Sequence, residues 1–140
     1  PAHTVHAIGA GLVLCEIQEH SDITYRLWDY GRPREIHLEQ AVPISDLGPH
    51  PGAAVPAPDG PGRQTLVRSK HFITELIALG PGERSNPRPE KCQMWIALAG
   101  SGALGRETFR AGEAWLLPDA GPQPEIRAEA AARFLRTYVP

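Results

Sequence analysis

No stretch of this sequence approaches the ~20 consecutive apolar residues that a membrane-spanning helix requires. Its start lacks the basic segment leading into an apolar core that marks a secretory leader. Charge of one sign is not in surplus either: 14 Lys and Arg against 16 Asp and Glu leave a net charge of −2, mixed along 140 residues. That balance offers no electrostatic footprint for nucleic acid or an anionic membrane. Cysteine is scarce, and Cys15 and Cys92 lie far apart inside apolar patterns, which predicts two buried free thiols rather than a disulfide or a metal pair. The simplest reading of these absences is a cytoplasmic protein. Helical periodicity is also sparse. "LEQAV" at 38–42 and "AEAAA" at 128–132 are each long enough for a turn or two.

Proline and glycine, by contrast, are abundant. The chain has 15 prolines and 14 glycines, against average usages of about 5% and 7%. They punctuate short patterned runs: "LVLCEIQ" (12–18), "DITYRLWD" (22–29), "FITELIAL" (72–79), "QMWIAL" (93–98), "AWLL" (114–117) and "RFLRTY" (133–138). In the second of these Ile23, Tyr25 and Leu27 alternate with Thr24, Arg26 and Trp28, the period of a half-buried strand. Strands of this length and spacing predict an all-β sandwich or barrel. Between Pro43 and Arg63 stand six prolines and four glycines, a segment predicted to run as an exposed connection. It divides residues 1–42, a strand-rich piece too small to close a barrel, from residues 64–140, which have strands enough to do so.

The second piece carries "GPGERSNPRPEKCQMWIALAGSGAL" followed by "RAGEAWLLPDAGPQP". A strand ending in Gly-Ser-Gly, then Gly112, five residues and Pro118, resembles the two motifs of the cupin family of small β-barrels. That resemblance implies the RmlC-like jelly-roll fold. Metal-binding cupins place histidines and a glutamate in these motifs, whereas this chain has Asn86, Arg88 and Glu90 in the first, Gln93 where the glutamate is expected, and Gln123 five residues after Pro118. Metal requires several converging deprotonated ligands, so residues 64–140 are expected to form a barrel without a metal site. Pro1-x-His3-x-x-His6 fits the second motif again. Residues three apart on a strand face opposite ways, so one histidine, His6, is the candidate ligand. A lone strand histidine is otherwise a hydrogen-bonded polar residue.

The run "VHAIGAGLVLCEIQEHSDITYRLWDYGRPREIHLEQAV", and "SDITYRLWDYGRPRE" within it, resembles the C-terminal part of the catalytic domain of class I mannose-6-phosphate isomerases of the short bacterial type. The resemblance implies one partial cupin barrel at residues 1–42, a linker at 43–63 and a small C-terminal barrel at 64–140. It also implies a zinc-dependent, cytoplasmic, monomeric enzyme that interconverts mannose 6-phosphate and fructose 6-phosphate through an enediol. By the same resemblance His6 is the last zinc ligand and Arg26 an active-site arginine. The family's other ligands, a Gln-x-His pair and a glutamate earlier in the chain, have no counterpart in these residues, so the sequence reads as a C-terminal portion, inactive by itself.

The chemistry suits the residue types. An enediol transfer develops an oxyanion that a Lewis-acidic zinc stabilises, and arginine is a permanent planar cation for phosphate or enediolate oxygens. The plain alternative for Arg26 is a salt-bridged strand residue. Glu16 has the even spacing from His6 that would put both on one face, as a proton-moving group or as a hydrogen-bonded structural carboxylate. Arg32 and Arg34 flank a proline turn near the family's substrate-binding region. His20, His37, His50 and His71 show no ligand spacing and read as surface residues. A nonenzymatic sugar-binding cupin module is the competing functional class.

Overall fold

The computed structural model describes every residue except Pro1, Glu19, Asp22, Pro51 and Glu90. Pro1 of the proposed N-terminal motif and Glu90 of the first barrel motif therefore lie outside the described residues. The chain divides into two compact units, residues 1–52 and 53–140.

In the first unit, α1 (Leu38–Ile44) is the regular element among the described residues. It covers the expected "LEQAV" turn and runs through Pro43, with Ala41 buried. The strands expected at 12–18 and 22–29 are absent among the described residues, which run there as irregular chain. Alternation defines a face, but a strand needs a neighbour for its N–H and C=O groups. Here Leu12, Val13, Leu14, Ile23, Tyr25 and Trp28 are exposed. The segment 43–63 is not purely a connection: Pro43 and Ile44 end α1, and Ala57–Pro58 pair with a strand of the second unit. Both cysteines are free, as expected, but exposed rather than buried. Cys15 stands in the unpaired stretch, and Cys92 just precedes a strand whose inward positions begin at Gln93.

Among the described residues the regular elements of the second unit are strands: β1 (Ala57–Pro58), β2 (Arg63–Arg68), β3 (Ile73–Leu79), β4 (Arg84–Ser85), β5 (Gln93–Ala99), β6 (Ser101–Leu104), β7 (Glu107–Arg110), β8 (Ala114–Leu117), β9 (Ile126–Ala128) and β10 (Ala132–Tyr138). They form a six-stranded sheet, β1-β2-β3-β10-β5-β8, and a four-stranded sheet, β4-β9-β6-β7. Every pairing is antiparallel. In place of the expected "AEAAA" helix, Ala128 ends β9, Ala132 begins β10 and the residues between them make a bend. Pairing of both flanking strands overrides the helical preference of alanine.

Alternation holds along β5, where Gln93, Trp95 and Ala97 are buried and Met94 and Leu98 exposed. Ile77, Leu79, Trp95, Ala97, Leu117, Ala132 and Phe134 from the larger sheet meet Leu104, Phe109, Ile126 and Ala128 from the smaller one. Phe134 lies at the centre of this core, its ring edge-on to Trp95 at 5.5 Å and to Phe109 at 4.8 Å. The Gly-Ser-Gly sequence carries the chain from one sheet to the other. Gly100 has φ +86°, and a Cβ there would lie 2.4 Å from the Ala131 carbonyl oxygen; a Cβ on Gly102 would lie 2.1 Å from that of Arg127. Side chains are therefore excluded where the sheets exchange strands.

Replacing Phe134 with alanine should remove about 3–5 kcal/mol of stability, because the cavity it leaves lies at the centre of the core. Leu116→Ala, at an exposed position of β8, should change stability by no more than about 0.5 kcal/mol. Urea denaturation of the two variants checks the assignment, and similar losses for both would refute it.

Candidate functional site

The segment most specific to the family resemblance folds around one carboxylate. Asp29 is buried, and Arg34 grips it with two parallel bonds, Nε to Oδ2 and Nη2 to Oδ1, both 2.6 Å. Arg32 adds a third contact, Nη2 to Oδ1 at 2.9 Å. The chain reverses between them: Arg32 N–H donates to the Asp29 carbonyl at 3.0 Å, with positive φ at Tyr30 (53°) and Gly31 (77°). Two successive positive φ values are the signature of a tight I′-like reversal, and glycine at the second removes its steric cost. Below the turn, His37 N–H donates to the Arg26 carbonyl at 2.7 Å, while Arg26 N–H donates to His37 Nδ1 at 3.0 Å.

Arg26 is half-buried, and its Nη1 donates to the Glu35 carbonyl at 3.1 Å. His6 is exposed, with Nδ1 3.3 Å from the Thr4 carbonyl. Glu16 is exposed. The bonds of His6 and Arg26 thus run to their own neighbourhoods and do not bring the two together. Among the described residues no group of three His, Cys, Asp or Glu could hold a metal ion. Arg32 and Arg34 share the Asp29 carboxylate. His37 departs from the surface reading: it is largely buried, latches the loop through Arg26 and packs 5.9 Å from the Tyr25 ring.

A second constellation, missed by reading the sequence for ligand spacing, lies inside the strand unit. Glu75 on β3, Arg136 on β10, Trp95 on β5 and Trp115 on β8 are successive partners across one row of the sheet. Ile73, Tyr138, Gln93 and Leu117 form the next row. Glu75 is fully buried. Its Oε2 accepts from Arg136 Nε at 2.7 Å and also from Nη2. Its Oε1 accepts from Arg88 Nη2 at 3.2 Å and Tyr138 Oη–H at 3.3 Å. The Arg136 guanidinium lies over the Trp95 ring at 5.4 Å and that of Arg88 over the Tyr138 ring at 5.1 Å.

Burial pushes the Arg136 pKa down, against the pull of Glu75, and burial pushes that of Tyr138 up, with the Glu75 charge adding to it. Gln93 fixes the loop before β5. Its Nε2 donates to the Arg88 carbonyl at 2.7 Å, and its Oε1 accepts from Trp95 Nε1 at 3.1 Å. Parity held the signal for these residues: Glu75 shares its face with Ile73, Ile77 and Leu79, and Arg136 with Phe134 and Tyr138. A charge on the apolar face of a strand marks a buried polar pair.

Removing one partner of a buried charge pair leaves the other unpaired, so Glu75→Gln should cost about 3–5 kcal/mol. Asp29 behaves differently. Its bond to Arg34, reinforced by the Arg32 and Arg26 charges, holds its carboxyl below the ordinary 3.8. The stability it contributes is therefore present above pH 3.8 and lost as pH falls through its lower folded value. An NMR pH titration of the 29–34 turn should show release below pH 3.8, and Asp29→Asn should remove that transition; a transition unchanged in the variant would reject the assignment.

No family model matches the chain. A mannose-6-phosphate isomerase of Streptococcus mutans is 41% identical over 131 residues, an alignment that covers 85% of this chain and 41% of that protein. The crystal structure of the mannose 6-phosphate isomerase of Bacillus subtilis superimposes with a TM-score of 0.64 at 21% identity, over 84% of this chain and 40% of that one. A cupin 2 conserved barrel domain protein of Salinispora arenicola has a TM-score of 0.50 at 20% identity, covering 56% of this chain and 74% of that one. These likenesses bear out the all-β, cupin-type fold. The chain is thus a relative of the mannose-6-phosphate isomerases that spans about two fifths of their length.

Proposed function

We propose that these residues are the C-terminal part of a zinc-dependent, cytoplasmic mannose-6-phosphate isomerase. The observation that carries this reading is the 41% identity to the Streptococcus mutans isomerase over 131 residues. The substrate is a hexose phosphate, and the reaction moves a proton between C2 and C1 through an enediol, with the hydroxyl and carbonyl exchanging places.

Each residue has a part in that proposal. Arg26 presents a planar guanidinium suited to phosphate or enediolate oxygens; one guanidinium nitrogen is anchored on the Glu35 carbonyl, which restricts its orientation. Glu16, exposed, is the proposed carrier of the proton. Zinc would act as a Lewis acid toward the carbonyl oxygen, with His6 as the ligand this chain contributes. The described residues do not fit a zinc site by themselves, because one exposed imidazole falls short of the three protein ligands of a catalytic ion.

The reading is tested with the 140-residue chain and with a chimera in which it replaces the matching segment of the Streptococcus mutans isomerase. The chain alone should neither convert mannose 6-phosphate nor retain zinc through dialysis. The chimera should do both. His6→Ala in the chimera should lower its zinc content and abolish turnover; Arg26→Ala should lower turnover by about 100-fold or more while zinc content and unfolding midpoint stay near the parent's. A folded chimera without activity, or an Arg26→Ala chimera with normal turnover, would overturn the proposal.

A further inference from the structure

We propose that the polar end of the second unit's barrel binds a small hydroxylated anion, such as a sugar phosphate or sugar acid, and that Arg88 is its principal charged contact. This site is built from residues of the second unit, without Arg26 or His6, and stands whether or not the isomerase reading holds.

The argument begins with the two rows of inward side chains. Toward the middle of the sheet the inward face is apolar, with Ile77, Phe134 and Ala97 as cross-strand partners. Two residues further along each strand it turns polar, at Glu75, Arg136 and Trp95, and then at Tyr138 and Gln93. These positions lie at the start of β3 and β5 and at the end of β8 and β10, so they share one end of the sheet. Arg88 and Lys91, which precede β5, and Asp119 and Gln123, which follow β8, lie at that end.

Charge is the first reason to look for a ligand. Among the described residues of the cluster, two guanidinium groups face one carboxylate, Glu75. Arg136, 3% exposed, is satisfied by Glu75 through a two-nitrogen grip. The remaining positive charge belongs to Arg88, whose side chain is 39% exposed and reaches Glu75 with one nitrogen. A cation in partly dry surroundings with half a partner favours an anion.

Unsatisfied polar atoms are the second and independent reason. Among the described residues, three buried side-chain polar atoms have no hydrogen-bond partner: Arg88 Nε, Trp115 Nε1 and Gln123 Oε1. Native proteins leave few such atoms, and each calls for water, an ion or a ligand. All three belong to this end of the barrel. Trp115 is the cross-strand partner of Trp95, and Gln123 is tied back by its Nε2, which donates to the Pro118 carbonyl at 2.6 Å just beyond β8. Two of the orphans are donors and one is an acceptor. An anionic group suits the two donors and a hydroxyl suits the acceptor.

The test is calorimetric titration of the 140-residue chain, followed in parallel by tryptophan fluorescence, with mannose 6-phosphate, gluconate, mannose and inorganic phosphate as separate probes. Saturable binding of mannose 6-phosphate or gluconate, at least tenfold tighter than mannose or phosphate, is expected. Arg88→Gln should weaken it tenfold or more, and Trp115→Phe, which keeps the ring and loses the N–H, severalfold. Arg133→Gln, which removes an exposed cation at the opposite end of β10, should leave it unchanged. Glu75 keeps Arg136 in the Arg88→Gln variant, so its unfolding midpoint should stay near the parent's. Binding kept in Arg88→Gln, or weakened as much in Arg133→Gln, would overturn the proposal, as would equal affinity for inorganic phosphate or no saturable binding of any probe at millimolar concentration.

Discussion

The carboxylate of Glu75 is the interaction on which the strand unit is organised. It is removed from water on the central part of a six-stranded sheet, where an unpaired charge would be costly. The sequence supplies its partners from two separate places: Arg136 and Tyr138 from the last strand, and Arg88 from the loop before β5. Meeting that requirement constrains the register of β10 on β3. A slip of one residue would turn Arg136 outward and bring Leu135 or Thr137 to the inner face. The ion pair therefore supplies specificity of pairing more than net stability, since the desolvation of both charges offsets much of their attraction.

Around that pair the barrel separates into two regions with different physics. One is a dry aromatic core, in which Phe134 packs edge-on against Trp95 and Phe109 and the sheets close against each other. The other is polar, and Trp95 joins them: one face of its ring meets the Arg136 guanidinium, and its N–H reaches Gln93. Gln93 and Gln123 stand where a metal-binding cupin would place ligands by family resemblance. Here the amide of Gln93 fastens a loop, and that of Gln123 is half used. The same scaffold positions, with neutral amides in place of ionisable ligands, are suited to hydrogen bonding.

The first unit is held by a different kind of constraint. Its order among the described residues comes from a buried aspartate clasped by two arginines and from the reciprocal bonds of Arg26 and His37, rather than from an apolar core. This local network keeps Arg26 anchored although the alternating apolar residues before it remain exposed. A charged clasp of this kind fixes one turn but does not bury the neighbouring chain.

The sequence by itself determined four strands of the second unit, β3, β5, β8 and β10, and the helical turn at 38–42, because burial on one side imposes a period that residues must obey. The glycines of "GSG" were legible too, since close backbone approach leaves no room for a side chain. The family resemblance was carried by "SDITYRLWDYGRPRE", in which Arg32 and Arg34 proved to clasp Asp29. Tertiary structure alone decided the rest. Whether 12–18 and 22–29 become strands depends on a hydrogen-bonding neighbour, which alternation cannot specify. Whether alanines 130–132 coil or extend was settled by the strands on either side. Likewise Glu75 and Arg136 are 61 residues apart in the chain; parity placed each on an inner face, but only the pairing of β3 with β10 brought the two charges together.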